Sequence, residues 1–418
     1  MSVNIFKVFV IVYVVIGSCA YCSTSSDRKS DESDNEEYQS LREGFDQGND
    51  DFTANFLSDV IDENPNTSAI TSPFSVLFLL SQLALHAKGE SYKQLANLLN
   101  LRSRYDIRVM VPRYLDDINS QRSVNFSLAE RVYCSMDYPF SNAFKRDTRN
   151  TYHAQAENLD FSEPEEAARM INAWIASKTN NLITDLVPSS SLNEDTRLVL
   201  TNAIYFKGDW RMPFNRRMTK KSDFHVTRKH KVSVRMMNQI GHFNYSYLKN
   251  IKAKVIQLFY KDGNFSFVLV LPNKGHSVRS LSEDLQYIDL QNDVINQLEP
   301  ARVNLTMPVI DTETTTDLAD ILKKNGVTAI FDYDNSDLSG ILKHPEPLYV
   351  SSAMQKAKII VNESGSEAAA GNAAVLTTKA ALAPGEQTLE IFDANRPFLY
   401  YVLFKNAPIF AGVYAGPL

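Results

Sequence analysis

The sequence predicts an α+β protein, with helices concentrated in the first half and strands in the second. Apolar residues recur at helical spacing between Phe52 and Leu186, and short β-prone runs with polar punctuation follow from Leu198 onward. The two kinds of segment do not alternate regularly, which argues against a parallel α/β fold. No Gly/Ser- or Pro-rich linker divides the chain internally, so residues 51–418 read as one large domain.

Taken in order, residues 1–20 have the layout of a secretory signal. Lys7 supplies a positive charge, Val8 to Ile16 is an unbroken apolar run, and Gly17, Ser18, Cys19 and Ala20 place small residues at the cleavage positions. Cleavage after Ala20 and after Cys22 both fit. The run is too short to span a bilayer, and no later stretch is long and apolar enough to do so. Residues 21–50 are rich in Ser, Asp and Glu, a composition that predicts a flexible acidic tail. Phe52, Phe56, Val60 and Ile61 then start a helix. Residues 73–99 predict two more, broken near Gly89, and Ile171, Trp174, Ile175, Ile183 and Leu186 continue the helical spacing. Strands are expected at 198–206, 232–237, 254–260, 265–271, 303–307 and 357–361. A short helix at 317–325, stopped by Gly326, interrupts them, and apolar runs at 398–405 and 408–415 close the chain as buried strands.

Composition excludes several classes of function. A formal net charge of −6 does not suit a nucleic-acid binder, whose affinity comes from neutralising phosphates. Three cysteines, at most two of which survive signal cleavage, cannot form a disulfide framework, so the core must hold the fold. There is no HExxH, GxSxG, P-loop or GxGxxG, and neither enzymatic activity nor a metal or cofactor is expected. Asp332-Tyr-Asp334-Asn-Ser336 lacks the glycine and the final acid of a calcium loop and reads as a solvated turn. Arg216, Arg217, Lys220, Lys221, Arg228, Lys229 and Lys231 form a basic region that reads first as a solvated face and second as a polyanion site. Asn-x-Ser/Thr sequons begin at Asn66, Asn125, Asn244, Asn264, Asn304 and Asn362. The first three are the glycosylation candidates, since Asn264 and Asn304 fall in strand-like runs and Asn362 borders the loop described next.

Residues 362–391 break the globular pattern. They separate a strand from the closing strands and have no core-forming periodicity, and a loop of that length is functional or disordered. Its first part, Glu363-Ser-Gly365-Ser366-Glu367-Ala368-Ala369-Ala370, resembles the hinge of serpins, a family of suicide-substrate protease inhibitors. The resemblance runs over nearly the whole chain from about residue 50. It is carried by Thr71-Ser72-Pro73-Phe74-Ser75, by Leu200-Thr-Asn202-Ala203-Ile-Tyr205-Phe206-Lys207-Gly208-Asp-Trp210 and by Met236-Met-Asn-Gln239. Asn304-Leu-Thr-Met-Pro308, Asp337-Leu-Ser339-Gly340-Ile341, Asn395-Arg396-Pro397-Phe398 and Gly412-Val-Tyr-Ala-Gly-Pro417 follow in family order.

The resemblance implies that a protease cleaves the loop, forms an acyl-enzyme and is trapped as the freed segment inserts into the main sheet. Insertion needs small side chains and no proline, and the run from Ser366 to Ala374 contains only small residues apart from Glu367 and Asn372. Ser366, Ala368, Ala370 and Asn372 would share the buried face, and Gly365 suits a pivot. At the family's spacing from that glycine stands Lys379, followed by Ala380. A lysine there fits the carboxylate-based pocket of trypsin-like enzymes. The long stretch from Lys379 to Phe392 leaves Leu382 open as the cleavage site. Leu376 or Leu382 would direct the loop to chymotrypsin-like, elastase-like or papain-like cysteine proteases. The sequon at Asn362 leaves a non-inhibitory carrier or chaperone-like role as a further alternative. Ser72 and Ser75 resemble the serines beneath the point where the sheet opens. Gln355 takes the place of a frequent histidine, and Asn202 is expected to join them. The partner expected is thus an extracellular trypsin-like serine protease, bound covalently by a secreted monomer that engages neither nucleic acid nor membrane.

Overall fold

The structure, a computed structural model, describes residues 24–121, 124–365 and 388–417. It is α+β, with a helical first half and two sheets. The buried centre is helix α2 (Pro73–Ala84), every residue of which is inaccessible to solvent. Ser72 caps it by accepting a hydrogen bond from the Ser75 amide, and Pro73 fits the first turn because its missing N–H would have no partner there. Such a helix, apolar apart from Ser75, Ser81 and Gln82, is stable only when enclosed.

Helix α1 (Thr24–Glu63) corrects the expected flexible tail at residues 21–50. Tyr38, Leu41 and Phe45 are buried, and Phe45 packs edge-on to Phe78 at 5.5 Å and Tyr114 at 5.9 Å. Arg42, buried beside them, pairs with Asp46 at 3.3 Å and Asp117 at 3.0 Å. Three well-placed apolar residues and one paired arginine anchor a stretch whose average composition resembles a disordered chain. The other helices here are α3 (Gly89–Leu98), α4 (Arg104–Asn119), α5 (Asn142–Tyr152) and α6 (Pro164–Lys178). Ile183 and Leu186 are buried but lie beyond the end of α6, in irregular chain, contrary to the helical expectation.

The nine-stranded sheet runs β1 (Ala69–Thr71), β14 (Ala407–Tyr414), β13 (Phe398–Phe404), β8 (Phe265–Pro272), β7 (Ala253–Phe259), β6 (Val232–Leu248), β9 (Glu299–Pro308) and β12 (Glu390–Asp393), with β5 (Lys220–Phe224) on β6. The five-stranded sheet runs β10 (Ile310–Asp317), β11 (Val350–Val361), β4 (Leu198–Gly208), β2 (Val124–Ser135) and β3 (Gln155–Leu159). Its neighbours are antiparallel except β2–β3 and the central pair β11–β4, which runs parallel from Val350 opposite Leu198 to Ile359 opposite Phe206. Residues alternate between its two faces. Leu198, Leu200, Ile204 and Phe206 join the core around α2, while Val199 and Ala203 pack with Ile171 and Ile175 of α6. Helices α7 (Val278–Leu285) and α8 (Leu318–Lys324) complete the fold, with Gly326 past α8 at φ +86°.

Candidate functional site

The parallel pair β11–β4 carries polar side chains where an ordinary sheet would be apolar. Asn202 and Gln355 lie directly opposite in register, on the face against α2, and neither is accessible to solvent. Ser72 and Ser75 reach them from the start of α2. The Ser75 hydroxyl donates to Asn202 Oδ1 at 2.8 Å, and Gln355 Nε2 donates to the Ser72 carbonyl at 2.8 Å and to Asn202 Oδ1 at 3.0 Å. The Ser72 hydroxyl donates to the Ile409 carbonyl at 2.6 Å, which ties the seam to the nine-stranded sheet. All four residues expected to form this cluster from the sequence are therefore brought together.

Three further members were not read from the sequence. Thr71 donates to Gln355 Oε1 at 2.8 Å, Asn202 Nδ2 donates to Glu130 Oε1 at 3.1 Å, and Gln82 Nε2 donates to Glu130 Oε2 at 3.3 Å. Glu130 sits on β2, and among the described residues no cation pairs with it. Burial pushes its carboxyl well above the usual range, against the opposing effect of the Gln82 and Asn202 amides. The available signal was an acid inside the run Phe126-Ser-Leu128-Ala-Glu130-Arg-Val132, at a position that alternation assigns to the buried face. On the opposite face, Lys356 bonds Asp185 at 2.8 Å and Glu313 at 2.9 Å.

At one end of the seam, β11 runs into a tight turn over residues 362–365. The Gly365 amide donates to the Asn362 carbonyl at 3.1 Å, and Gly365 has φ +85°. A Cβ there would lie 2.1 Å from the Gly208 carbonyl oxygen and 2.5 Å from the Trp210 amide, so only glycine lets the turn dock. Docking is mostly through the backbone. Trp210 Nε1 donates to the Asn362 carbonyl at 2.8 Å, the Trp210 amide to the Ser364 carbonyl at 3.2 Å, and the Phe214 amide to the Glu363 carbonyl at 2.7 Å. Trp210 is itself held flat on Tyr260, ring centres 4.4 Å apart. The Glu363 side chain is buried and accepts from Arg235 at 2.7 Å. Trp210, Phe214 and Arg235 were not expected to hold the hinge, although Trp210 closes one of the motifs quoted above. Ser366, Glu367, Ala368, Ala369, Ala370, Lys379 and Ala380 lie outside the described residues. The chain is described again from Thr388 and enters β12, parallel to β9.

The Serpin (serine protease inhibitor) family model matches residues 47–417. The chain belongs to the serpin family. It is 35% identical over 367 residues to antichymotrypsin-2 of Bombyx mori, covering 88% of this chain and 96% of that protein. It is 34% identical over 367 residues to antitrypsin of the same species, covering 88% of this chain and 93% of that one. Among solved structures, Serpin48 of Tenebrio molitor superposes with a TM-score of 0.80 at 30% identity, covering 90% of this chain and 99% of that one. This serpin thus comes from a family of protease inhibitors rather than catalysts. Cys134 offers no nucleophile, because burial pushes its thiol up to about 12. The 332–336 turn is closed by Asp332, which accepts from the Asp334 and Asn335 amides, and no metal-type cluster occurs among the described residues. Among those residues, no helix is long and apolar enough to cross a membrane.

Proposed function

We propose that this serpin is a secreted suicide-substrate inhibitor of trypsin-like serine proteases, cleaved between Lys379 and Ala380. The observation that carries the inhibitory mechanism is the docked hinge at the mouth of a parallel strand pair. A segment that turns back after Gly365 runs antiparallel to both β11 and β4 and can complete both ladders, which a parallel insertion could not do from a tight turn. The fourteen positions from Gly365 to Lys379 match the 11 residues of β4 and the 12 of β11 in length. Ser366, Ala368, Ala370 and Asn372 would face α2, and a turn closed at 362–365 brings Asn372, the one residue among them that is not small, level with Gln355.

Trypsin-like specificity rests on Lys379 itself. The two silkworm relatives carry opposite specificities in their names at nearly equal identity, so similarity does not choose between them. The thirteen positions from Lys379 to Phe392 favour a second reading, with cleavage nearer Leu382 by a chymotrypsin-like, elastase-like or papain-like enzyme. Residues 1–20 act as the secretory signal. Asn66 and Asn125 are exposed and open to glycosylation, whereas Asn244 Nδ2 already donates to Gln257 at 3.0 Å and would have to leave that contact. The exposed basic region around Lys220 and Arg228 remains a secondary site for a polyanion. Mixing the secreted protein with trypsin tests the proposal. A denaturant-stable complex and a released peptide beginning at Ala380 are expected, while cleavage without a complex, or a complex only with papain, would overturn it.

A further inference from the structure

The orientation of Asn202 is forced. The Ser72 amide donates to Gln355 Oε1 at 3.0 Å while Gln355 Nε2 donates to the Ser72 carbonyl, so the Gln355 amide has one sense. Gln355 Nε2 and the Ser75 hydroxyl both donate to Asn202 Oδ1, which turns the Asn202 nitrogen toward β2. The group that meets it there is Glu130 Oε1, on a residue 7% exposed. Without that acceptor the Asn202 N–H would be buried and unpaired, and the parallel seam would lose the side chain that links it to β2.

The second oxygen of Glu130 faces Gln82, whose own side-chain oxygen is buried without a hydrogen-bond partner. In the structure Gln82 Nε2 is the donor to Glu130 Oε2; half a turn of the amide would bring its unpaired oxygen there instead, and a carboxylic acid proton would then fill the gap. Among the described residues, no cation competes for the carboxyl. From α2 it meets Gln82 and from β4 Asn202, whose Oδ1 in turn accepts from Ser75 and from Gln355 of β11. Helix α5 contributes Tyr152, bonded to Ser81 at 2.7 Å, and beyond it Asp147, already held by Arg108 and His86. Arg131 and Lys356 project from the opposite face, to Glu157 and to Asp185 and Glu313.

We propose that Glu130 is a positioning residue for sheet opening: as a neutral acid it accepts from Asn202 and donates to Gln82, and losing its proton loosens the β4–β11 seam. This deepens the inhibitory reading above, because it assigns the group that sets how readily the loop can enter. The elevated carboxyl supports it, since an isolated charge in this place is strongly disfavoured. The sign follows from linkage. With the folded value above the unfolded value of 4.5, stability is complete below that pH and is lost as pH rises toward the folded value.

The test compares full-length wild type, Glu130→Gln and Glu130→Leu between pH 5 and pH 9. Thermal midpoint and the rate of annealing of a synthetic peptide spanning residues 366–378 are read for each. Glutamine supplies the same acceptor and an N–H in place of the acid proton, and it cannot ionise. Wild type should lose about 2 °C relative to Glu130→Gln for each pH unit gained until Glu130 is ionised, and should anneal the peptide faster as it does so. Glu130→Leu should anneal faster at every pH, and if it fails to fold, the glutamine comparison decides alone. Identical pH profiles for wild type and Glu130→Gln would overturn the proposal. Trypsin complex formation, measured in parallel, separates the two ideas. A pH-dependent seam in a protein that forms no complex leaves Glu130 in place and removes the inhibitory reading.

Discussion

The two sheets are built on opposite principles. In the nine-stranded sheet, every residue of β8, β13 and β14 is buried, and aromatic rings stack across strands, as Phe267 does on Tyr400 at 5.4 Å. In the five-stranded sheet, the central seam places Asn202 and Gln355, and the neighbouring β2 places Glu130, among the apolar residues. Apolar burial is non-directional and strongest when nothing moves. A polar network holds just as firmly when satisfied but depends on a few specific contacts. The first sheet is a fixed frame, and the second is closed by a latch.

The sharpest way to break this contrast is to damage each sheet by one side chain. Phe267→Ala removes a ring stacked on Tyr400 and edge-on to Trp210, and should cost about 3–5 kcal/mol in denaturant unfolding. It should not selectively speed peptide annealing into the other sheet. A cost below about 1 kcal/mol would show that the frame is looser than its packing implies.

Gln355→Ala should cost less globally, about 1–3 kcal/mol, yet act on opening far more. It strips partners from Thr71, Ser72, Ser75 and Asn202 at once. Annealing should accelerate well beyond what the stability loss alone gives. Equal acceleration by Phe267→Ala and Gln355→Ala would dissolve the distinction between frame and latch.

Much of the latch was legible in the sequence. Ser72, Ser75, Asn202 and Gln355 come from segments nearly 300 residues apart, and only family resemblance could join them before the fold was seen. Glu130 escaped because no strand was expected over residues 124–135, so the alternation that puts it on the face of Val132 and Cys134 was not applied there. The N-terminal helix escaped for a different reason. Tyr38, Leu41 and Phe45 keep helical spacing, but the surrounding Ser, Asp and Glu dilute any compositional average. Strands β8 and β13 match their expected ranges within a residue at each end, whereas β2 was not expected and β6 and β11 extend well beyond the ranges read for them, because their polar residues interrupt the apolar run.

The hinge sharpens the comparison at the mouth of the seam. Gly365→Ala forces a Cβ against the Gly208 carbonyl and places an L-residue at φ +85°, a strain of about 1–2 kcal/mol before the clash is counted. The turn should undock. Fluorescence of Trp210, read in a Trp174→Phe background, should report greater solvent exposure, and an unchanged spectrum would mean that the turn can re-dock in another form.

The smallest effect is expected from Arg235→Ala, and it separates charge from backbone in holding the hinge. Arg235 is 59% exposed, so its bond to Glu363 should contribute no more than about 1 kcal/mol at neutral pH. Its signature should appear in acid. Burial alone would raise the Glu363 carboxyl, but hydrogen bonding from its own amide and from Thr219, followed by the charge and hydrogen bond of Arg235, outweighs it and holds the group below the usual 4.5. A depressed acid stabilises the docked turn above 4.5, and that contribution disappears as pH falls through the folded value. Removing Arg235 should therefore move the acid midpoint of Trp210 exposure upward, toward 4.5, while leaving the neutral signal almost unchanged. If the midpoint stays where it is, the backbone bonds from Trp210 and Phe214 hold the hinge alone, and Arg235 is a bystander on the surface.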